Sequence, residues 1–179
     1  MQTYLEIDVP LYKDAGWFKA LKTVLDSQPV RWQNGSYHIT LAFIDDNPNR
    51  VNLIPVFINH LSSISAIRLL FDKIDAFTDS HHKDHIINLT ATSIPVGFLS
   101  IIEAIRSNLK DVGCILNTDF KLHVTLGRLE ATSIDLESLK SLINQVNYTP
   151  FSLLLTDVHF KVKGSKKEPL FSIKLNDSN

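Results

Sequence analysis

The chain has 179 residues, 44% of them hydrophobic, and a net charge of −1. That suits one domain or two small lobes sharing a core, and it is too apolar for disorder. The charge balance excludes the strongly basic surface of a broad nucleic-acid footprint, while a small phosphorylated ligand or a single strand end remains compatible.

A single cysteine, Cys114, rules out an intramolecular disulfide and is expected to be a small buried hydrophobe in a reducing compartment. The opening MQTYLEIDVPLYKD has no basic region followed by an apolar run, so no signal peptide is expected. No apolar run reaches bilayer length. The expectation is a cytoplasmic monomer with no membrane association and no implied protein partner.

In chain order, TYLEIDVP alternates and ends at a proline, which predicts a strand. DAGWFKALKTVLDSQ places Trp17, Leu21 and Leu25 at helical spacing, with Asp14 as the expected N-cap. YHITLAFI is a strand. DDNPNR is a turn, and its proline is placed to open a helix over NRVNLIPVFINHLSSI, which Pro55 should kink or truly begin. AIRLLFDKIDAF and DHIINLTATS predict two strands of a long hairpin around TDSHHK. VGFLSIIEAIRSNLKDVG is the strongest helix, with Pro95 before it and Gly113 after it. FKLHVTLGRL is a strand, and DLESLKSLINQVN a helix capped by Asp135. FSLLLTDVHFKVKG and PLFSIKL form a closing hairpin around SKKE, a basic, solvated tip. No glycine-rich phosphate loop follows a strand, so a doubly wound nucleotide fold is not expected. Hairpins mixed with helices predict an α+β fold.

Two segments repeat one pattern about half a chain apart: SYHITLAF (36–43) and KLHVTLGR (121–128). Residues two apart on a strand share a face. His38 and Thr40 therefore point one way, Ile39 and Leu41 the other; His123 and Thr125 repeat this against Val124 and Leu126. The next positions by parity, Ala42 and Gly127, are small and leave room beside the rings. Related by a rough two-fold axis, the strands can lie side by side and bring both His/Thr pairs to one cleft. Paired imidazoles suit chemistry in which one ring gives a proton and the other takes one. Threonine hydroxyls can bond the oxygens of a phosphate. Such a site needs no metal and no cofactor.

HITL and HVTL, with the lead-in RWQNGSYHITLAFI and the sequel HVTLGR, resemble the paired His-x-Thr/Ser motifs of the 2H phosphoesterase superfamily. The likeness is to its 2′-5′ RNA ligase-like, or RNA 2′,3′-cyclic phosphodiesterase, branch, and it runs over the whole chain. Two departures stand out: FIDD follows the first motif where the family often has Phe-Leu-Gly, and Leu122 stands where a proline is frequent. The resemblance implies residues 1–179 as a single bilobal domain, α+β, with two pseudo-symmetric lobes. Each lobe is an antiparallel sheet with outer helices, and the active-site cleft lies between them. It also implies a metal-independent hydrolase that opens a 2′,3′-cyclic phosphate at an RNA or nucleotide end, with His38 as proton donor and His123 as acceptor. Rival uses of the same cleft are non-catalytic RNA-end binding, 2′-5′ RNA ligation, and hydrolysis of ADP-ribose cyclic phosphate.

Around the catalytic set of His38, His123, Thr40 and Thr125, three cations are candidates for substrate binding. Lys121 shares the face of His123. Arg128 falls on the opposite parity and reaches the cleft only if it turns inward at the strand end. Arg31, in the Arg-Trp lead-in, would shape the cleft entrance. Tyr37 and Phe43 fall on the helix side and are expected in the core. Asp45 and Asp46 would repel a phosphate if they faced the cleft, and would not in a solvated turn. The HHKDH run (His81, His82, His85) reads as a polar loop over the cleft rather than a metal site. His60 and His159 have no partner in the pattern and are expected to be structural or surface residues.

Overall fold

The computed structural model describes residues 2–45, 49–79, 81–165 and 168–176. The alternation in TYLEIDV gives strand β1 (Thr3–Val9), with Leu5, Ile7 and Val9 in the core. Helix α1 (Gly16–Val24) buries Phe18 and Leu21. Asp14 does not cap it: the helix starts one residue later than the sequence implies, Ala15 takes the cap position, and Asp14 lies 3.8 Å from Lys19 instead. The short strand β2 (Arg31–Trp32) has no counterpart in the sequence pattern; β3 (Tyr37–Ile44) is the first motif strand. After a 3₁₀ turn (Arg50–Leu53), α2 (Ile54–Leu61) carries Pro55 in its first turn, where a missing N–H costs nothing.

Two segments that read as single strands are each divided. AIRLLFDKIDAF forms β4 (Ile67–Phe71) and β5 (Lys73–Asp79), which part at Asp72. Its inward residues are Ile67, Leu69 and Phe71, then Ile74 and Ala76, so the alternation slips by one at the join. Asp72 Oδ1 anchors that corner by accepting from the backbone N–H and hydroxyl of Thr92. FSLLLTDVHFKVKG divides at Thr156 into β8 (Phe151–Leu155) and β9 (Asp157–Val162), with the Thr156 hydroxyl donating to Asp157. β4 and β8 then pair with each other in a separate two-stranded sheet.

The remaining elements follow the expected pattern. Strand β6 (Asp84–Thr90) forms the hairpin with β5. Helix α3 (Val96–Asp111) is followed by Gly113 at φ 86°, the left-handed conformation glycine adopts without penalty. The second motif strand, β7 (Val124–Glu130), begins just after His123. Asp135 caps α4 (Leu136–Ile143) by accepting from Ser138 N. β10 (Phe171–Lys174) pairs antiparallel with β9. Lys166 and Lys167, expected at that hairpin's tip, lie outside the described residues.

Among the described residues, the main sheet has eight strands in the order β10-β9-β1-β3-β7-β6-β5, with β2 on β7. The motif strands are therefore neighbours at its centre, joined in antiparallel register through Ile39 and Val124. Their shared edge continues along β2, where Trp32 pairs with Gly127 and Arg31 with Arg128. Helices α2 and α3 pack on each other, α3 against β3 and α2 against β10; α4 lies along β5 and touches α1. They cover the face that carries Ile7, Ile39, Leu41, Val124 and Leu126, all buried. The other face of the central strands stays open and carries the motif side chains. Among the described residues, no helix is long and apolar enough to cross a membrane.

Candidate functional site

The pairing of Ile39 with Val124 sets the geometry of the motifs. Carried one residue either way, that register puts Thr40 opposite His123 and His38 opposite Thr125. Each histidine thus faces the other motif's threonine across the strand boundary. His38, Thr40 and His123 are half-buried in the wall of one cavity of about 810 Å³. A second chamber of about 440 Å³ shares Thr40 and His123 and extends to Phe77 and Lys121. Thr125 is half-buried on the motif face and lines neither chamber.

Strict alternation fails just beyond both motifs. In the β1–β3 pair, Glu6 lies opposite Thr40 and Leu5 opposite Ala42, so Leu41 is an extra residue. In the β6–β7 pair, Asn88 lies opposite Thr125 and Ile87 opposite Gly127, so Leu126 is extra. These are matched β-bulges, and each shifts the following side chains to the other face. Ala42 and Gly127 are buried on the core side, not beside the rings as parity implied. Phe43, expected in the core, lines the cleft; so does Arg128, which parity had placed on the far face. Tyr37, before the bulge, is buried as expected.

The two rings have different surroundings. His123 Nδ1 is 2.9 Å from the Lys121 carbonyl; a carbonyl only accepts, so Nδ1–H donates and Nε2 is left as the proton-accepting nitrogen. Burial pushes His123 below the ordinary histidine value, and the Lys121 and Arg128 charges add to that. His38 is also pushed down by burial, but Glu6 and Asp8 act in the opposite sense. Acidic groups thus flank His38 and basic groups flank His123. Tyr4 stacks on His38 with centroids 5.9 Å apart, and Phe77 meets His123 edge-on at 5.2 Å. Tyr4 also stacks nearly parallel to Phe43, forming an aromatic shelf in the cleft wall.

The flanking candidates separate clearly. Arg128 lies 3.8 Å from Asp79 with both in the cleft wall. Lys121 lines the smaller chamber with its ammonium 3.4 Å above the Phe77 ring. Arg31 does not line the cleft: Asp84 on β6 holds its guanidinium at 2.8 Å. Asp45 does not line it either; its Oδ1 accepts from Gln2 and Asn117 and so ties Asn117 into the wall. Asp46 lies outside the described residues.

His81 and His82 line the cleft, and His82 bonds Asp79 at 2.7 Å. His85 is turned inward, with Nε2–H donating to the Ile134 carbonyl and Nδ1 accepting from Thr78. Among the described residues, no three His, Cys, Asp or Glu side chains converge as a metal site. His60 meets Asn108, and His159 bridges Asp8 and Ser172. Cys114 is buried.

Sequence reasoning missed Tyr4, Glu6, Phe77, Asn117 and Arg106. Arg106 reaches from α3 to the Leu41 carbonyl at 3.2 Å and to the Thr118 carbonyl, pinning the first bulge to the loop before β7. The polar face of β1 (Tyr4, Glu6, Asp8) was a usable signal, because it is the face turned to His38.

No protein-family model and no curated protein matches the sequence. Solved structures do match over essentially the full length. Escherichia coli LigT complexed with 3′-AMP is 19% identical, with 97% of each chain covered and a TM-score of 0.60. TT0787 of Thermus thermophilus is 16% identical, with 100% of each chain covered and a TM-score of 0.66. Kluyveromyces marxianus Usb1 with uridine monophosphate is 12% identical, with 98% of each chain covered and a TM-score of 0.67. The chain has the 2H phosphoesterase fold. In that fold, the central cleft of this chain is walled by His38 and Thr40 of the first motif and His123 of the second.

Proposed function

We propose that this protein is a metal-independent phosphodiesterase that opens a 2′,3′-cyclic phosphate at an RNA or nucleotide end. The observation that carries the reading is that His38, His123 and Thr40 wall one cavity, with acidic groups behind one ring and basic groups beside the other. His123 Nε2 takes a proton from water as the water oxygen attacks phosphorus. Protonated His38 gives its proton to the 2′ or 3′ oxygen as that P–O bond breaks, leaving a monoester. Each proton-transfer partner contributes roughly 10²–10⁴-fold. In this reading the Thr40 hydroxyl and the Arg128 guanidinium, both in the cavity wall, bond the non-bridging oxygens, where charge is concentrated. Thr125 stands opposite His38 in the strand register, outside the cavity lining, and is given no phosphate contact in this reading. Lys121 adds a cation to the smaller chamber.

The Tyr4–Phe43 shelf favours a nucleotide end over a bare sugar phosphate, because a base can lie on it. The nucleotides in the LigT and Usb1 complexes belong to those proteins, and they are consistent with a nucleotide-sized ligand here. The deciding experiment offers 2′,3′-cyclic nucleotides and cyclic-phosphate-ended RNAs, with products resolved as 2′- or 3′-phosphates. Turnover that survives EDTA and disappears in His38→Ala and His123→Ala supports the reading. Tight binding with no turnover of any of them would replace it with RNA-end recognition.

A further inference from the structure

Glu6 lies on β1, directly opposite Thr40, and is 1% exposed. One of its oxygens accepts from Lys161, which stands diagonally across on β9, opposite Tyr4. The other, Oε2, is 3.3 Å from His38 Nδ1. Both Oε2 and Nδ1 are buried and neither makes a well-aligned hydrogen bond among the described residues, although the Ser36 backbone also bonds weakly to His38. A buried polar atom without a partner is costly, so two of them facing each other at this distance mark an interaction completed by a small ring rotation. Because Nδ1 is the buried nitrogen, the exposed edge of His38 carries Nε2.

The second motif supplies the contrast. Opposite Thr125, at the position matching Glu6, stands Asn88, 2% exposed and donating to the carbonyls of Asp75 and Ile86. The pseudo-symmetric site is thus a carboxylate behind one ring and a neutral amide behind the other motif.

We propose that Glu6, braced by Lys161, is the positioning residue that makes His38 the proton donor. It accepts Nδ1–H, presents Nε2–H to the cleft, and favours the imidazolium. The role of His38 as donor rests on the proposed phosphodiesterase reading; the ring-to-carboxylate coupling does not. The other titratable groups around His38 are Tyr4 and Asp8 on β1, His159 on β9, which pairs with Asp8, and His123 across the boundary to β7. Asp79, His81, His82, Arg128 and Lys163 share the cavity wall. Glu6 and Asp8 favour a charged His38, and Lys161 opposes it.

The test is NMR titration of the His38 and His123 imidazoles in the full chain, for wild type, Glu6→Gln and Lys161→Met. Glu6→Gln should move the His38 titration down by about one pH unit or more, as expected for loss of an adjacent opposite charge. Lys161→Met should move it up, because the carboxylate remains and its cation is gone. His123 should move far less than His38 in both variants, since only the small His38 charge effect links it to them. In turnover, the basic limb of the pH–rate profile should shift with His38, with KM little altered.

Opposite shifts are the signature, since loss of packing alone would move both variants the same way. If Glu6→Gln does not fold, Lys161→Met still carries an upward prediction of its own. No shift, or shifts of one sign, would overturn the proposal. Should wild type hydrolyse no cyclic phosphate while the titrations shift as stated, the positioning role stands and the substrate reading falls. Normal turnover with unmoved titrations would uphold the substrate reading and overturn the positioning role.

Discussion

Phe43 and Arg128 occupy equivalent places in the two halves of this protein, each three residues past its motif threonine and each turned into the cleft by an inserted leucine. The backbone device is the same, and the chemistry it delivers is not. One half contributes an aromatic ring that stacks on Tyr4; the other contributes a guanidinium near Asp79. The cleft therefore has a face suited to a base and a face suited to an anion.

Arg128→Gln should lower kcat/KM on cyclic-phosphate substrates by about 10–100-fold, since a hydrogen bond to a charged group contributes about 1.5–3 kcal/mol. Steady-state kinetics on a dinucleotide and a mononucleotide cyclic phosphate would check it. An equal kcat/KM for wild type and variant would remove Arg128 from the phosphate site.

His38→Ala and His123→Ala should each reduce turnover by about 10²–10⁴-fold. The double variant should be scarcely worse than the poorer single one, because the rings act in one concerted transfer. Single-turnover rates of the three variants decide this. Losses that multiplied would mean that the two rings work independently.

Stability should depend on pH through the same rings. Burial holds both below the ordinary histidine value, so below about pH 6.5 the unfolded chain binds more protons than the folded one. The stability they confer is full above that pH and is lost as pH falls through the lowered folded values. Asp75 and Asp79 are lowered from ordinary carboxylate values, so their share is lost only below about pH 4. Urea midpoints stepped down from about pH 7.5 to about pH 5 should decline in wild type, and the slope should flatten in His38→Gln/His123→Gln. A double variant as steep as wild type would assign the slope to other groups.

Gly127 should tolerate no side chain. A Cβ there would sit 2.8 Å from Val30 Cγ1 and 3.0 Å from Trp32 Cε3, where β2 crosses the bulge of β7. Gly127→Ala should cost about 1–3 kcal/mol by overpacking. Thermal unfolding would show the loss, and an unchanged Tm would mean that β2 yields freely.

Some of this molecule was written locally and some was not. The paired His-x-Thr strands, the run of α3 and the Asp135 cap of α4 follow from alternation, helical spacing and capping chemistry. Those properties are complete within a few residues, so reading the chain was enough. Even the breaks at Asp72 and Thr156 left a local trace, because the inward-facing residues change phase there. The bulges at Leu41 and Leu126 left none. An extra residue in a strand exists only relative to its partner strand, and HITLAF and HVTLGR look the same with or without it. The faces of Phe43 and Arg128 were therefore settled by pairing with β1 and β6. The same holds for Arg31, drawn away by an aspartate 53 residues later, and for Glu6, whose meaning depends on lying beside His38 and Lys161. The chain specified which side chains can do the chemistry. Strand register, a contact between distant residues, decided which of them meet.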